Sequence, residues 1–207
     1  MYQTLSTTIS TILESQMISD SRKEVMAPLV TYIQSKVDSK SPIRINFICT
    51  HNSRRSHLTQ IWMQVAATYY GIPNVTCYSG GTEQTAMHPM VATVLKKQGL
   101  DVFKIAEREN PIYVIKYGDN EAPIIGFSKK YDAAFNPSGD FAAVMTCSQA
   151  DGGCPFIAGA ERRIPITFED PKAFDGTANQ QTGYFNRSIE IASEMFYIVS
   201  QIKKKVM

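Results

Sequence analysis

The run Cys49-Thr50-His51-Asn52-Ser53-Arg54-Arg55-Ser56 places a thiol, a closely following arginine and several short polar side chains in one stretch. A thiolate there can attack a tetrahedral oxyanion. A turn between a strand and a helix can aim successive N–H groups inward as an anion nest, and the helix start adds free donors and partial positive charge. Arg55 can offer a two-pronged contact to two oxygens, and the same field favours the thiolate form of Cys49. Ser56 can hydrogen-bond the sulfur, while Asn52 can brace the turn. Two other places bear reactive groups. Cys147 and Cys154 enclose the polar segment Ser148-Gln149-Ala150-Asp151-Gly152-Gly153. Asp170, before Pro171, would alone be an ordinary loop carboxylate; beside a cysteine nucleophile it becomes a candidate general acid.

Those groups need elements to hold them. Residues 44–48 read as an apolar strand leading into Cys49, and Leu58, Ile61, Trp62, Val65, Ala66 and Tyr69 mark one face of the helix that follows. Gly71 stops that helix. Residues 75–78 form a second strand running into Ser79-Gly80-Gly81-Thr82, and His88-Pro89 opens another helix. Residues 112–117 and 123–127 are short apolar runs in an otherwise irregular stretch. Residues 141–146 read as a central parallel strand delivering Cys147, followed by a loop over 148–159. A last strand spans 163–168, and a final amphipathic helix spans 183–205. Alternating strands and helices predict an α/β fold around a parallel sheet. Cys49, Ser79, Cys147 and Asp170 each follow the carboxyl end of a different strand, where such sheets bind ligands.

Residues 1–40 read as a helical extension, with residues 41–207 as the main domain. Ser21 and Glu24 form a capping-box pattern for the second helix. Its face of Val25, Met26, Leu29, Val30, Ile33 and Val37 suits packing on the main domain, or a dimer contact. The formal charge of +2 and the lack of a basic stripe interleaved with aromatics argue against nucleic acid as a partner. Lys203, Lys204 and Lys205 suit the end of a helix. The sequence has neither a membrane span nor a signal peptide, which points to the cytoplasm. The three histidines show no zinc-ligand spacing with the cysteines, so no metal is expected. Cys77 reads as a buried small hydrophobe. His51 and His57 flank the cysteine turn, with His57 on the helix surface.

Residues 49–56 resemble the phosphate-binding loop of low-molecular-weight protein tyrosine phosphatases and of the arsenate reductases that share their fold. Tyr78-Ser79-Gly80-Gly81-Thr82-Glu83 and Asp170-Pro171 match two further family segments, and the resemblance runs from about residue 43 to 205 with an insertion near 108–139. It implies a four-stranded parallel sheet flanked by helices. It also implies Cys49 as nucleophile, Arg55 and the loop residues Thr50, His51, Asn52, Ser53, Arg54 and Ser56 as the oxyanion cradle, and Asp170 as the acid. Residues 147–154 resemble the redox segment of thioredoxin-coupled arsenate reductases. That likeness implies a relay in which Cys147 and Cys154 carry a disulfide away from Cys49, with thioredoxin as reductant.

Four departures stand out. His51 replaces a usual Gly, Arg54 a frequent second Cys, and Gln149 an acidic residue. Gln60 replaces a Glu that helps bind potassium in some reductases, so no cofactor is required by this reading. The leading expectation is arsenate reduction. Phosphatase action on phosphotyrosine or small phosphate esters is the second, and a non-catalytic oxyanion-binding module the third.

Overall fold

In the computed structural model, residues 1–15, 17–154 and 156–204 are described. Strand β1 (Ile43–Cys49) is buried almost throughout, and alternate residues serve opposite sides of the sheet. Ile45 and Phe47 join the main core, whereas Ile48 and Cys49 join a smaller cluster with Phe141, Met145, Cys147 and Ala150. From Ile43 to Ile48 this is the period of two expected of an extended chain; Cys49, the last residue of the strand, departs from it and stays with the cluster of Ile48. β1 lies in the middle of a parallel sheet of order β2-β1-β6-β7, with β2 at Val75–Gly81, β6 at Phe141–Met145 and β7 at Ala160–Pro165. The α/β architecture with a four-stranded parallel sheet is therefore present.

The helix after Cys49, α3 (Arg55–Tyr69), is buried on nearly every side between the sheet and α6 (Gln180–Ser200). Trp62 at its centre donates from Nε1 to Ser188 Oγ of α6 (2.9 Å), so its one polar atom is satisfied within the core. Tyr69 is the exception to the expected apolar face, being largely exposed in the last turn. Helix α4 (Pro89–Lys97) starts at His88, whose Nδ1 accepts the Met90 N–H as an N-cap.

Helices α1 (Gln3–Ser15) and α2 (Asp20–Asp38) bury Leu5, Ile9, Ile12, Met26, Leu29 and Ile33 in the same core as α3 and α6. Arg22 of α2 makes a two-pronged bond to Glu194 of α6 (2.6 and 2.8 Å) and a third to Thr167 O (3.0 Å). The N-cap of α2 is Ser19, whose Oγ accepts the Arg22 N–H, so the capping pattern placed at Ser21 and Glu24 is two residues late. Val25 also lies outside the buried stripe; Tyr32 takes part instead.

Three other boundaries differ from expectation. β7 begins at Ala160 and its regular ladder ends at Pro165, which lacks an N–H; Ile166 and Phe168 still donate to Met145 O and Thr146 O beyond it. Residues 148–153 are not loop but a short helix, α5 (Ser148–Gly153), capped by Cys147. α6 ends at Ser200, leaving Lys203 and Lys204 past the helix, while Lys205 lies outside the described residues. The two apolar runs of the irregular stretch become β4 (Ile112–Lys116) and β5 (Ile124–Gly126), joined to β3 (Asp101–Ala106) in an antiparallel sheet of order β3-β4-β5. Among the described residues, no helix is long and apolar enough to cross a membrane.

Candidate active site

The cradle is made by where its carbonyls go. Thr82 N–H donates to Cys49 O (3.0 Å), Glu83 N–H to Thr50 O (2.8 Å) and His88 N–H to Ser53 O (3.0 Å). Thr85 Oγ1 and Ser128 Oγ donate to His51 O at 2.9 and 3.0 Å. With those oxygens drawn outward, none of the N–H groups of residues 50–54 donates to another main-chain group among the described residues. A run of unpaired donors beside the first turn of α3 is a site for an anion, and the helix dipole adds to it. Thr50, His51, Ser53 and Arg54 thus bring main-chain donors, whatever their side chains do.

Asn52 sets the curvature. Its φ of 44° is in the left-handed region, which Asn tolerates better than most residues. Its Nδ2 donates to Ser56 Oγ (2.8 Å) and its Oδ1 accepts the Lys129 N–H (2.9 Å), so the buried side chain pins the turn from both ends. Ser56 Oγ in turn shares a 3.1 Å hydrogen bond with Cys49 Sγ. The Asn52–Ser56–Cys49 chain orients a donor at the sulfur.

His57 corrects the expectation of a surface residue: it is fully buried. Nε2 donates to Asn52 O (2.9 Å), which leaves Nδ1 to accept from Ser79 Oγ (3.3 Å). Burial, reinforced by the charge of Lys129, pushes its pKa down to about 3, so the ring is neutral and acts as a strut behind the turn. Ser79 sits inside β2 rather than beyond its end, and serves this strut rather than the anion. Glu83 lies 3.1 Å from Nδ1 of the half-exposed His51 at the rim.

Arg55 and Asp170 meet. Arg55 Nη1 donates to Phe168 O (2.9 Å) and Nη2 to Asp170 Oδ2 (2.5 Å). They border a cleft of about 860 Å³, shared with His51, Gln149, Lys172 and Arg187. Asp170 also caps the 3-10 helix at Pro171–Phe174 by accepting the Lys172 N–H. The Arg54 side chain, expected to add charge at the anion, is instead held by Tyr184 and Asp175 at 2.5 and 2.6 Å. Sequence reasoning missed both partners, which lie more than a hundred residues away in sequence.

Cys147 is fully buried against the cradle. Thr50 Oγ1 and Cys147 Sγ are 3.4 Å apart, and Cys147 Sγ also accepts the Ala150 N–H (3.3 Å). Gln149 Oε1 accepts from the same Thr50 hydroxyl at 3.4 Å. Cys154, at the far end of α5, is partly exposed and packs on the small cluster containing Cys49 and Cys147. Pro155 lies outside the described residues. Cys77 is buried on β2, and desolvation pushes its thiol up, out of nucleophilic range. Gln60 Nε2 donates to Cys77 O (3.0 Å). Gln60 Oε1 is buried with no hydrogen-bond partner among the described residues.

The family described as low molecular weight phosphotyrosine protein phosphatase matches residues 44–113, which include the whole cysteine turn. The chain is 26% identical over 143 residues to an arsenate reductase of Bacillus subtilis strain 168, covering 69% of this chain and 84% of that protein. A YwlE mutant from Bacillus subtilis shares the fold at a TM-score of 0.50 and 14% identity, covering 77% of this chain and 97% of the other. A YwlE arginine phosphatase with a phosphorylated active-site serine also gives 0.50 at 14% identity, covering 79% and 97%.

Proposed function

The chain belongs to the low-molecular-weight phosphotyrosine phosphatase superfamily, and from that premise we propose that it is a cytoplasmic arsenate reductase. The observation that carries this reading is the place of Cys147, a second buried thiol within 3.4 Å of the Thr50 hydroxyl next to the nucleophile. A phosphatase needs one cysteine at the cradle; a reductase needs a second within reach of the first. The named likeness to an arsenate reductase lends the same support.

In the proposed sequence the Cys49 thiolate attacks arsenate held by the turn and Arg55. Asp170 protonates the departing oxygen, which leaves as water, and a Cys49–arsenic bond forms. The Cys147 thiolate then attacks Cys49 Sγ. The sulfur–arsenic bond breaks with its electron pair going to arsenic, which leaves as arsenite, and a Cys49–Cys147 disulfide forms. Cys154 attacks Cys147, regenerating the Cys49 thiolate and moving the disulfide to Cys147–Cys154. A dithiol protein of the thioredoxin type reduces it by ordinary exchange. The two electrons come from thiols, so no resident metal is needed.

α5 stands between the last two cysteines. Seven residues of helical rise separate Cys147 from Cys154 by roughly 10 Å, and a disulfide needs Cα atoms within about 7 Å. α5 must therefore unwind. Gly152 and Gly153 make that easy, since glycine weakens a helix and neither has atoms crowding its Cα.

The Arg55–Asp170 pair favours a second reading, hydrolysis of a phosphorylated protein or small phosphate ester through a Cys49 phosphocysteine. The test compares arsenate turnover, with thioredoxin as reductant, and aryl-phosphate hydrolysis in Cys147→Ser and Cys154→Ser. Both variants are expected to lose arsenate turnover by at least about 100-fold while hydrolysing the ester within about 3-fold of wild type. Arsenate turnover surviving both changes would overturn the relay.

A further inference from the structure

Arg54 and Arg55 are consecutive, yet they hold opposite ends of one short segment. Asp170 stands immediately before the 3-10 helix Pro171–Phe174, and Asp175 immediately after it. Arg55 takes the first carboxylate at 2.5 Å and Arg54 the second at 2.6 Å. The second tie is the better built. Tyr184 Oη donates to Asp175 Oδ1 (2.6 Å) and accepts from Arg54 Nε (2.5 Å), while Gln180 Nε2 adds a bond to the same Asp175 oxygen (3.2 Å). Tyr184 is fully buried in α6, and its ring centroid lies 5.2 Å from that of His88 at the start of α4.

We propose that the Arg54–Asp175–Tyr184 cluster is a clamp that keeps Asp170 positioned over the cradle while Arg55 turns from Asp170 to the bound oxyanion. The proposal rests on the cysteine-nucleophile reading above. Two of the five Arg55 donors are engaged, Nη1 with Phe168 O and Nη2 with Asp170, so an oxyanion gripped end-on through both Nη groups draws Nη2 away from Asp170. Releasing Asp170 frees its carboxyl to face the leaving group, but it also removes the nearer restraint on the segment. Arg54 supplies a restraint that the anion does not compete for. Burial works against the Asp175 carboxylate, but the Tyr184 hydroxyl and the Arg54 charge outweigh it and hold its pKa below the ordinary range. Burial and Asp175 push the Tyr184 hydroxyl up, which keeps it a donor. The clamp thus stays ionised while the acid it positions carries a proton. The side chains of Arg54, Asp175 and Tyr184 are positioning groups, since they bond to one another and not to the reacting atoms.

The experiment uses the full chain with Arg54→Gln and, as a near-isosteric second variant, Tyr184→Phe. A dinitrophenolate leaves without a proton, whereas a plain phenolate needs one. Both variants should lose roughly 10- to 100-fold in kcat on phenyl phosphate and less than about 3-fold on 2,4-dinitrophenyl phosphate, with KM little changed. Equal losses on both esters would overturn the clamp. A second arm follows amide hydrogen exchange at residues 172–176 with saturating inorganic phosphate. Protection should persist in wild type and fall about tenfold in Arg54→Gln. If wild type hydrolyses neither ester and reduces no arsenate, the cysteine-nucleophile reading fails; unchanged exchange in Arg54→Gln overturns the clamp separately.

Discussion

Cys49, the proposed nucleophile, is held in place by three neighbouring side chains. Asn52 bends the turn, Ser56 meets the sulfur, and His57 props the Asn52 carbonyl from behind. His57 makes this arrangement sensitive to acid. Its pKa lies near 3 in the fold against an ordinary 6.5, so between those values the unfolded chain binds a proton that the folded chain refuses. Stability therefore falls as pH drops below about 6.5. At pH 5 the loss from this residue is about 2 kcal/mol relative to neutral pH. Denaturant midpoints of His57→Gln should show a flatter profile from pH 7 to 5; an unchanged slope would mean that other groups dominate. Cys49, Arg55 and Asp170 were singled out in the sequence by type and spacing, and the fold places Arg55 against Asp170 in one cleft. His57 was not, because a single polar residue on a helix says nothing about which face the sheet will cover. The partners of Arg54 were beyond reach for another reason: Asp175 and Tyr184 become neighbours only once α6 packs on α3.

Among the elements, β6 was readable from its unbroken apolar run, and β1 and β6 begin and end close to expectation. α5 was hidden because two glycines and a polar composition read as loop; its cap is a cysteine sulfur, a weak acceptor that pattern rules do not weigh. The small antiparallel sheet was half-seen. β3 carries exposed Phe103 and Ile105, which blur its alternation. Its neighbour segment has a structural role at the site: Lys129 N–H binds Asn52, and Lys129 O accepts the Gly81 N–H. The Lys129 side chain is itself buried, its Nζ 4.5 Å from the Phe127 ring centroid and 5.2 Å from that of Phe135. Burial lowers its pKa from 10.5 to about 7. Between those values the unfolded chain holds the proton and the folded chain does not, so stability rises with pH through that window. Lys129→Met should be more stable than wild type at pH 7 by about 1–3 kcal/mol, with the gap narrowing towards pH 10. A less stable Met variant at pH 7 would show that the two rings hold the ammonium better than burial disfavours it.

Across the whole molecule, the N-terminal helices share one core with α3, α6 and the parallel sheet. Leu5, Ile9, Met26 and Leu29 have no exposed surface, and Arg22 ties α2 both to Glu194 of α6 and to Thr167, just before the acid segment. A chain beginning at residue 41 is expected to lose cooperative thermal unfolding, since truncating even one such buried side chain costs about 2–5 kcal/mol. Retention of a sharp transition would show that residues 41–207 fold alone. The helical preface was legible from its amphipathic stripe, and of the two partners expected for it, the main domain and a dimer contact, the structure shows the main domain. The proposed relay fixes an order of sulfur chemistry at one end of the sheet. Its most direct test is to incubate reduced Cys154→Ser with one equivalent of arsenate and no reductant, then identify the disulfide by peptide mass spectrometry. The relay predicts a Cys49–Cys147 disulfide formed in step with one equivalent of arsenite. Arsenate left unreduced, with both thiols free, would contradict it.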